Sequence, residues 1–202
     1  MKAQFYKKSE STEILRLLVK HREQYLYQIN PNKNSITIHD QNELKLGEFI
    51  LPLDYRPLKD SANLEEYLEL EQSQKCLYIL MQAGSAALAY HDGQKISLHK
   101  MIKKYMVRKG QGKAQITHLE TKGKSRYGSR LRLQESERFF FEIGDKILEW
   151  EILEETDKIL FNAPTKLWSL LFEKRFECPF PKDDPRLQSI PYYTDTPNFN
   201  EI

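Results

Sequence analysis

Apolar and polar residues alternate most plainly in the middle of the chain. Cys76–Gln82 (Cys-Leu-Tyr-Ile-Leu-Met-Gln) reads as a buried strand, Ala83-Gly84-Ser85 as a tight turn and Ala86–Tyr90 as the returning strand. Asp92-Gly93 turns the chain again into Lys95–Met106, a strand lined by Ile96, Leu98 and Ile102. Strands joined by such short turns predict an antiparallel meander. The period then lengthens. Phe140, Ile143, Ile147 and Trp150 form one stripe, widened by Phe139 and Leu148, and predict a long helix from roughly Leu133 to Glu155. Lys158–Asn162 follows as a strand, and Pro164–Phe172 as a helix with proline near its first turn.

The ends are less regular. Ser11 and Thr12 are placed to cap a helix with Glu13 in its first turn, and the spacing of Ile14, Leu17 and Leu18 carries that helix towards Tyr25. Asn30-Pro31-Asn32-Lys33-Asn34 is a turn. Ile36 and Ile38 alternate as in a half-buried strand, Phe49-Ile50-Leu51 suggests another, and Leu64–Leu70 a short acidic helix. From Cys178 the chain is rich in proline and is expected to wrap the domain in extended form. The pattern predicts one α/β domain over 1–202, with 1–70 the least certain part and 178–202 packed as a tail.

Between these elements, 108–128 has no apolar period and holds Gly110, Gly112, Gly123 and Gly128. A connection of that length without its own structure is uncommon inside a domain and is often functional. Charge sharpens the point. The net charge is only +2, but Lys95, Lys100, Lys103, Lys104, Arg108, Lys109, Lys113, Lys122, Lys124, Arg126, Arg130 and Arg132 are opposed in their segment by Glu120 alone. The acids collect elsewhere, around Glu65–Glu71 and Glu149–Asp157. A chain polarised in this way presents its basic segment to a polyanion; a solvated charged face is the plainer alternative.

With 40% hydrophobic and 30% charged residues the chain can build a core and stay in solution. Its longest apolar runs, Leu77–Met81 and Ala86–Tyr90, are strand-length and far short of the ~20 residues of a membrane helix. The start has charge but no apolar region after it, so no secretion signal is expected. Cys76 and Cys178 have no paired spacing and read as reduced thiols of a cytoplasmic protein. Neither Cys-x-x-Cys nor His-x-x-x-His occurs, so no metal or other cofactor is expected.

The basic approach ends in Arg108-Lys109-Gly110-Gln111-Gly112-Lys113-Ala114-Gln115. Glycine lets the backbone turn and lets RNA come close. A glutamine at such a tip can orient water while neighbouring N–H groups stabilise oxyanion charge. No Ser-His-Asp order, Cys-His pair or paired carboxylates lie near it, so substrate and solvent would supply the nucleophile. On spacing alone, an RNA-binding loop explains Gly-x-Gly-x-x-Gln equally well.

Two ordered blocks carry a resemblance. His99-Lys100-x-Ile102-x-Lys104-Tyr105-x-Val107-Arg108-Lys109-x-Gln111-Gly112-x-Ala114-Gln115 resembles the core motif of the release-factor-like peptidyl-tRNA hydrolases of ribosome quality control, continuing through Lys124-Ser125 and Gly128–Arg132. The second block is Ile159-Leu160-Phe161-x-Ala163-Pro164, Asp184-Pro185-Arg186-Leu187-x-x-Ile190-Pro191 and Thr196-Pro197-x-Phe199-x-Glu201. The resemblance implies a mixed, largely antiparallel sheet flanked by helices, similar to the catalytic middle domain of eukaryotic and archaeal class-one release factors, with a long flexible glutamine loop. It places the family's catalytic glutamine on Gln115, supported by Gly110, Gly112 and Ala114. Release factors carry Gly-Gly-Gln where this chain has Lys113-Ala114-Gln115. Lys103, Lys104, Arg108, Lys109, Lys113, Lys122, Lys124, Arg126, Arg130 and Arg132 are then expected to meet RNA phosphates, a salt-sensitive contribution.

The implied function is freeing nascent chains from tRNA on stalled large ribosomal subunits, by ester hydrolysis or by cleavage at the CCA end. The implied partners are the ribosome, ribosomal RNA and peptidyl-tRNA, with no membrane and no small-molecule cofactor. A non-catalytic ribosome- or RNA-binding module of the same shape stays open, as does a ribonuclease acting on free RNA. Tyr105 is expected to pack, and Arg186 to pin the tail.

Overall fold

The computed structural model describes residues 8–30, 33–57, 63–69, 73–106, 127–191 and 197. Where the pattern predicts one domain over 1–202, contacts group the chain into two compact units, Met1–Gln74 and Lys75–Ile202. Each has its own buried cluster, which is the physical mark of separate units.

The first unit contains α1 (Lys8–Lys20), β1 (Leu26–Asn30), β2 (Ser35–His39), β3 (Lys45–Ile50) and α2 (Leu64–Glu69). The strands form an antiparallel sheet in the order β1-β2-β3. Leu15 and Leu18 of α1 join Ile36, Leu51, Tyr55, Leu64 and Tyr67 in its core. Three phenols find partners at the edge of that core. Tyr55 and Thr12 share a hydroxyl hydrogen bond of 3.0 Å, Tyr27 donates to Glu65 at 2.9 Å, and Tyr67 donates to the Arg56 carbonyl at 2.8 Å. Ser11 does not start the helix as its capping chemistry suggests; α1 begins at Lys8, which leaves Ser11 in the helix and buried. The chain also turns earlier than expected. α1 ends at Lys20, short of Tyr25, and Tyr27 and Ile29 then alternate inward as β1, a strand the pattern did not predict.

The second unit contains β4 (Lys75–Gln82), β5 (Ser85–Asp92), β6 (Ile96–Lys103), α3 (Tyr127–Glu149), β7 (Lys158–Asn162), α4 (Thr165–Leu171), a 3-10 turn (Lys174–Phe176) and β8 (Leu187–Ser189). Its sheet runs β6-β5-β4-β7-β8. The meander pairs are antiparallel, whereas β4–β7 and β7–β8 are parallel. The sheet is therefore mixed, as the resemblance implies. β4 lies between β5 and β7, and its near-continuous apolar run is what a strand buried on both faces requires. Leu77, Ile79, Met81, Leu88, Ile102 and Ile159 form a core with Phe139, Phe140, Ile143 and Ile147 of α3 and with Leu167 and Trp168 of α4. Trp168 stacks on Phe161 with ring centroids 4.0 Å apart.

Boundaries moved where burial and helicity part company. α3 starts at Tyr127, well before Leu133. Leu131, Leu133 and Gln134 are exposed, and Ser136 is the earliest of its described side chains to be buried. Among the described side chains, none from Leu131 to Glu135 is buried, and this stretch carries no apolar stripe. The helix ends at Glu149, and Glu151 takes a left-handed φ of 54° that ends it before Ile152 and Leu153. Leu148, read as part of the stripe, is 53% exposed.

The tail does more than wrap. Leu187–Ser189 adds a parallel edge strand beside β7. It is fastened by Arg186, whose guanidinium binds both oxygens of the nearly buried Asp184 at 2.8 and 3.0 Å and donates to the carbonyls of Leu153 and Thr156. The expected pinning role of Arg186 is thus realised on the turn between α3 and β7.

Candidate functional site

The segment expected to carry the chemistry joins β6 to α3, and its outgoing stem leaves from one end of the sheet. β6 pairs antiparallel with β5 so that Lys103 lies opposite Ser85, beside the β4–β5 turn. α3 runs back over the sheet, since the chain after it enters β7 at Lys158, opposite Cys76. Its N-terminus is therefore directed towards the Ser85 end, where the partial positive charge of a helix start favours anions.

The outgoing stem keeps strand alternation beyond the formal end of β6. Ile102 and Met106 are buried, and Lys104 between them points to α3, where its ammonium lies 2.6 Å from the Glu142 carboxylate. Lys103 and Tyr105 face the other way and are exposed, Tyr105 by 54%. Tyr105 does not pack as expected, because its inward neighbours take the core positions.

The β4–β5 turn shapes the same point. The Lys104 N–H donates to the Gly84 carbonyl at 2.9 Å, and the Met106 N–H donates to the Lys104 carbonyl at 3.0 Å. Gly84 has a φ of +82°, and a Cβ there would fall 2.5 Å from the Lys104 carbonyl oxygen. Glycine is required twice over, by the left-handed backbone and by the close approach. Next to it, the Ser85 hydroxyl donates to the Pro197 carbonyl at 3.4 Å, bringing the tail to this end.

The return stem differs. At about 1.5 Å per residue, the helix between Tyr127 and Glu142 measures roughly 22 Å. The segment thus leaves the body beside Glu142 and rejoins it that far along α3. Glu137, farther along towards the helix start, binds Arg175 at 2.8 Å, and Phe140 and Phe141 pack on Phe176, which braces the middle of α3 against the 3-10 turn.

The Bacteroidetes VLRF1 release factor family (bVLRF1) matches the chain over residues 76–202. The chain belongs to that family. It is 32% identical over 151 residues to the tRNA endonuclease ANKZF1 of Bos taurus, which covers 72% of this chain and 20% of that protein. It is 30% identical over 150 residues to the human tRNA endonuclease ANKZF1, with the same coverage. The chain thus spans about one fifth of the length of these curated relatives. The solved Vms1 mitochondrial localization core aligns with a TM-score of 0.45 and 16% identity, covering 98% of this chain and 78% of that one.

The family match begins within one residue of the second unit and takes in the whole β6–α3 connection. Of the expected site residues, Arg108, Lys109, Gly110, Gly112, Lys113, Ala114, Gln115, Lys122, Lys124 and Arg126 lie outside the described residues, as does the side chain of Arg130. Lys103 is exposed at the sheet end, Lys104 is paired with Glu142, and Arg132 is half-buried on α3. Sequence reasoning missed Gly84 and Glu142. The signal for Gly84 was present, as a glycine in a tight turn; nothing local marks Glu142 as the partner of a lysine so far upstream.

Among the described residues there is no group of His, Cys, Asp and Glu able to hold a metal ion, and no helix long and apolar enough to cross a membrane. Cys76 is buried, and burial pushes the Cys178 thiol up to about 11, which leaves it a poor nucleophile at neutral pH.

Proposed function

We propose that this chain is a ribosome-associated, tRNA-directed hydrolase of the release-factor type, acting in the cytoplasm on nascent chains stalled on large subunits. The observation that carries the reading is membership of a release factor family over 76–202, a span that includes Gln115. The local geometry supports it. The outgoing stem of the 107–126 connection lies at one sheet end, with Lys103 and Tyr105 exposed beside it, and the start of α3 is directed the same way.

In this reading Gln115 stands at the CCA end of the tRNA and orients a water against the bond to be broken. Gly110, Gly112 and Ala114 give its backbone room. Lys103, Arg108, Lys109, Lys113, Lys122, Lys124, Arg126, Arg130 and Arg132 neutralise phosphates of tRNA and ribosomal RNA. Hydrolysis of the ester adds water across it, leaving a peptide carboxylate and an intact tRNA 3′ hydroxyl. Cleavage of a CCA phosphodiester instead leaves nucleotides on the peptide. The relatives named tRNA endonucleases weigh towards the second bond.

The test uses stalled large-subunit complexes whose nascent chain and tRNA 3′ end carry different labels. Peptide freed with the 3′ label attached means phosphodiester cleavage, and peptide freed without it means ester hydrolysis. Stable binding with both labels retained rejects the enzyme and leaves the binding module. Cleavage of deproteinised tRNA at the same rate would reject the ribosome as partner.

A further inference from the structure

The basic run from Lys95 to Arg132 invites a single interpretation, phosphate contact, for every cation in it. The sheet end separates them. Lys103 and Tyr105 are exposed on one side of the outgoing stem, while Lys104 and the buried Met106 are on the other. The Lys104 side chain is 23% exposed and ends 2.6 Å from a Glu142 carboxylate that is itself 34% exposed. A cation already paired and turned towards a helix is poorly placed to neutralise a phosphate, because it would have to leave its partner first.

Its backbone is held as well. The Lys104 amide is spent on Gly84, its carbonyl accepts from Met106, and Gly84 approaches so closely that no side chain fits between them. The stem is therefore gripped at adjacent points: main chain on the β4–β5 turn, ammonium on α3, and the Met106 side chain in the core. Glu142 is the link that ties this point to α3, the element that receives the other stem.

We propose that Lys104 is a positioning residue, which with Gly84 and Glu142 clamps the root of the Gln115 segment to the body and so sets where Gln115 is delivered. The proposal rests on the reading of that segment as the acting part of the protein. It removes Lys104 from the phosphate-binding set and gives Glu142 a task that no charge count reveals. The pair costs the protein part of its positive field at the sheet end; what it gains is a fixed origin for the connection.

Reversing the charges separates the two roles. Lys104→Glu, Glu142→Lys and the double reversal are compared in single-turnover release from stalled large-subunit complexes over a range of protein concentrations. Each single reversal is expected to lower the rate at saturating protein by about fivefold or more, with the half-saturating concentration within about twofold of wild type. The double reversal, with the ion pair restored in the opposite sense, is expected to recover most of that rate.

A phosphate contact predicts the opposite. Glu142→Lys would then release as well as wild type or bind more tightly. The double reversal would remain as poor as Lys104→Glu, with its half-saturating concentration raised. Either result overturns the proposal.

Amide exchange at Lys104 and Met106, measured without substrate, keeps the clamp distinct from the function. Single reversals should speed exchange and the double reversal should restore protection. If wild-type protein releases nothing, the functional reading fails, yet the exchange pattern still decides the clamp. Unchanged exchange in both single variants rejects it. Circular dichroism confirms that each variant is folded.

Discussion

The two ends of the five-stranded sheet are built to different plans. At the end where β4 begins, charges and carbonyls close on one another. Lys75 binds Glu155 at 2.6 Å, its amide binds Asp157, and Asp92 caps its own turn through the amides of Gln94 and Lys95. Burial raises the Tyr90 phenol well above its ordinary value, and the neighbouring Glu155 carboxylate adds to the shift. Arg186 then staples the tail to the turn between α3 and β7. At the other end the outgoing stem is held by Gly84 and Glu142, the tail is tied through Ser85–Pro197 and Asn162–Ile190, and Lys103 is exposed beside the stem. The first end holds the fold together, and the second presents the connection that carries Gln115. A body closed at one end can hold its shape while the other end engages something large.

That contrast can be broken from the open end first. Gly84→Ala forces a side chain into a left-handed backbone and against the Lys104 carbonyl. It is expected to cost about 1–3 kcal/mol in a denaturant titration. Through the displaced stem it should also lower release more than about tenfold. Full activity in a folded Gly84→Ala protein would show that the stem tolerates movement.

The closed end should answer in stability alone. Arg186→Ala leaves Asp184 nearly buried without its partner and strips two carbonyls of their donor, a loss of about 2–3 kcal/mol by denaturant midpoint. Release per folded molecule at a permissive temperature should stay at the wild-type level. A tenfold loss of release in that variant would mean that the two ends are coupled.

A smaller effect follows from titration. The Arg186 bond holds the Asp184 carboxyl below the usual carboxylate range. The folded protein therefore binds fewer protons there than the unfolded chain, and stability rises with pH across that interval. The contribution is complete above the ordinary value of about 4 and fades as pH falls below it, through the depressed native value. Asp184→Asn should flatten this acid limb of a stability–pH curve; an unchanged limb would assign it to other carboxylates.

The least effect belongs to Lys75→Met. Both partners of the Lys75–Glu155 pair are well exposed, and such pairs contribute little once screened. A melting point within experimental error of wild type is expected, and a clear drop would mean that the pair supports the Tyr90 corner.

Much of the second unit could be read from sequence because its pattern and its burial coincide. The Cys76–Gln82 run, the Gly84 and Gly93 turns and Lys158–Asn162 are local signals, and the structure places β4, β5 and β7 on them. Phe140, Ile143 and Ile147 located the helix but not its start, because no described side chain of α3 before Ser136 is buried. β8 was hidden for another reason. Leu187–Ser189 is too short for a period of its own, and its partner Ile159–Phe161 lies far upstream. Parallel pairing at that distance leaves no trace in a local window.

The candidate site divides along the same line. Gln115 and its glycines were singled out by resemblance rather than spacing, and they lie outside the described residues. Lys104 reads in sequence as one more member of a basic run, because the acid it pairs with, Glu142, belongs to the next element. β1 was missed between a helix carried to Tyr25 and the turn at Asn30, although the alternation of Tyr27 and Ile29 was there to be read.

The most direct test of the account is Gln115→Ala, measured for peptide release and for cosedimentation with stalled large subunits in the same preparation. The account predicts that release is abolished while binding stays within about twofold of wild type. Release at the wild-type rate by a protein lacking that amide would contradict it.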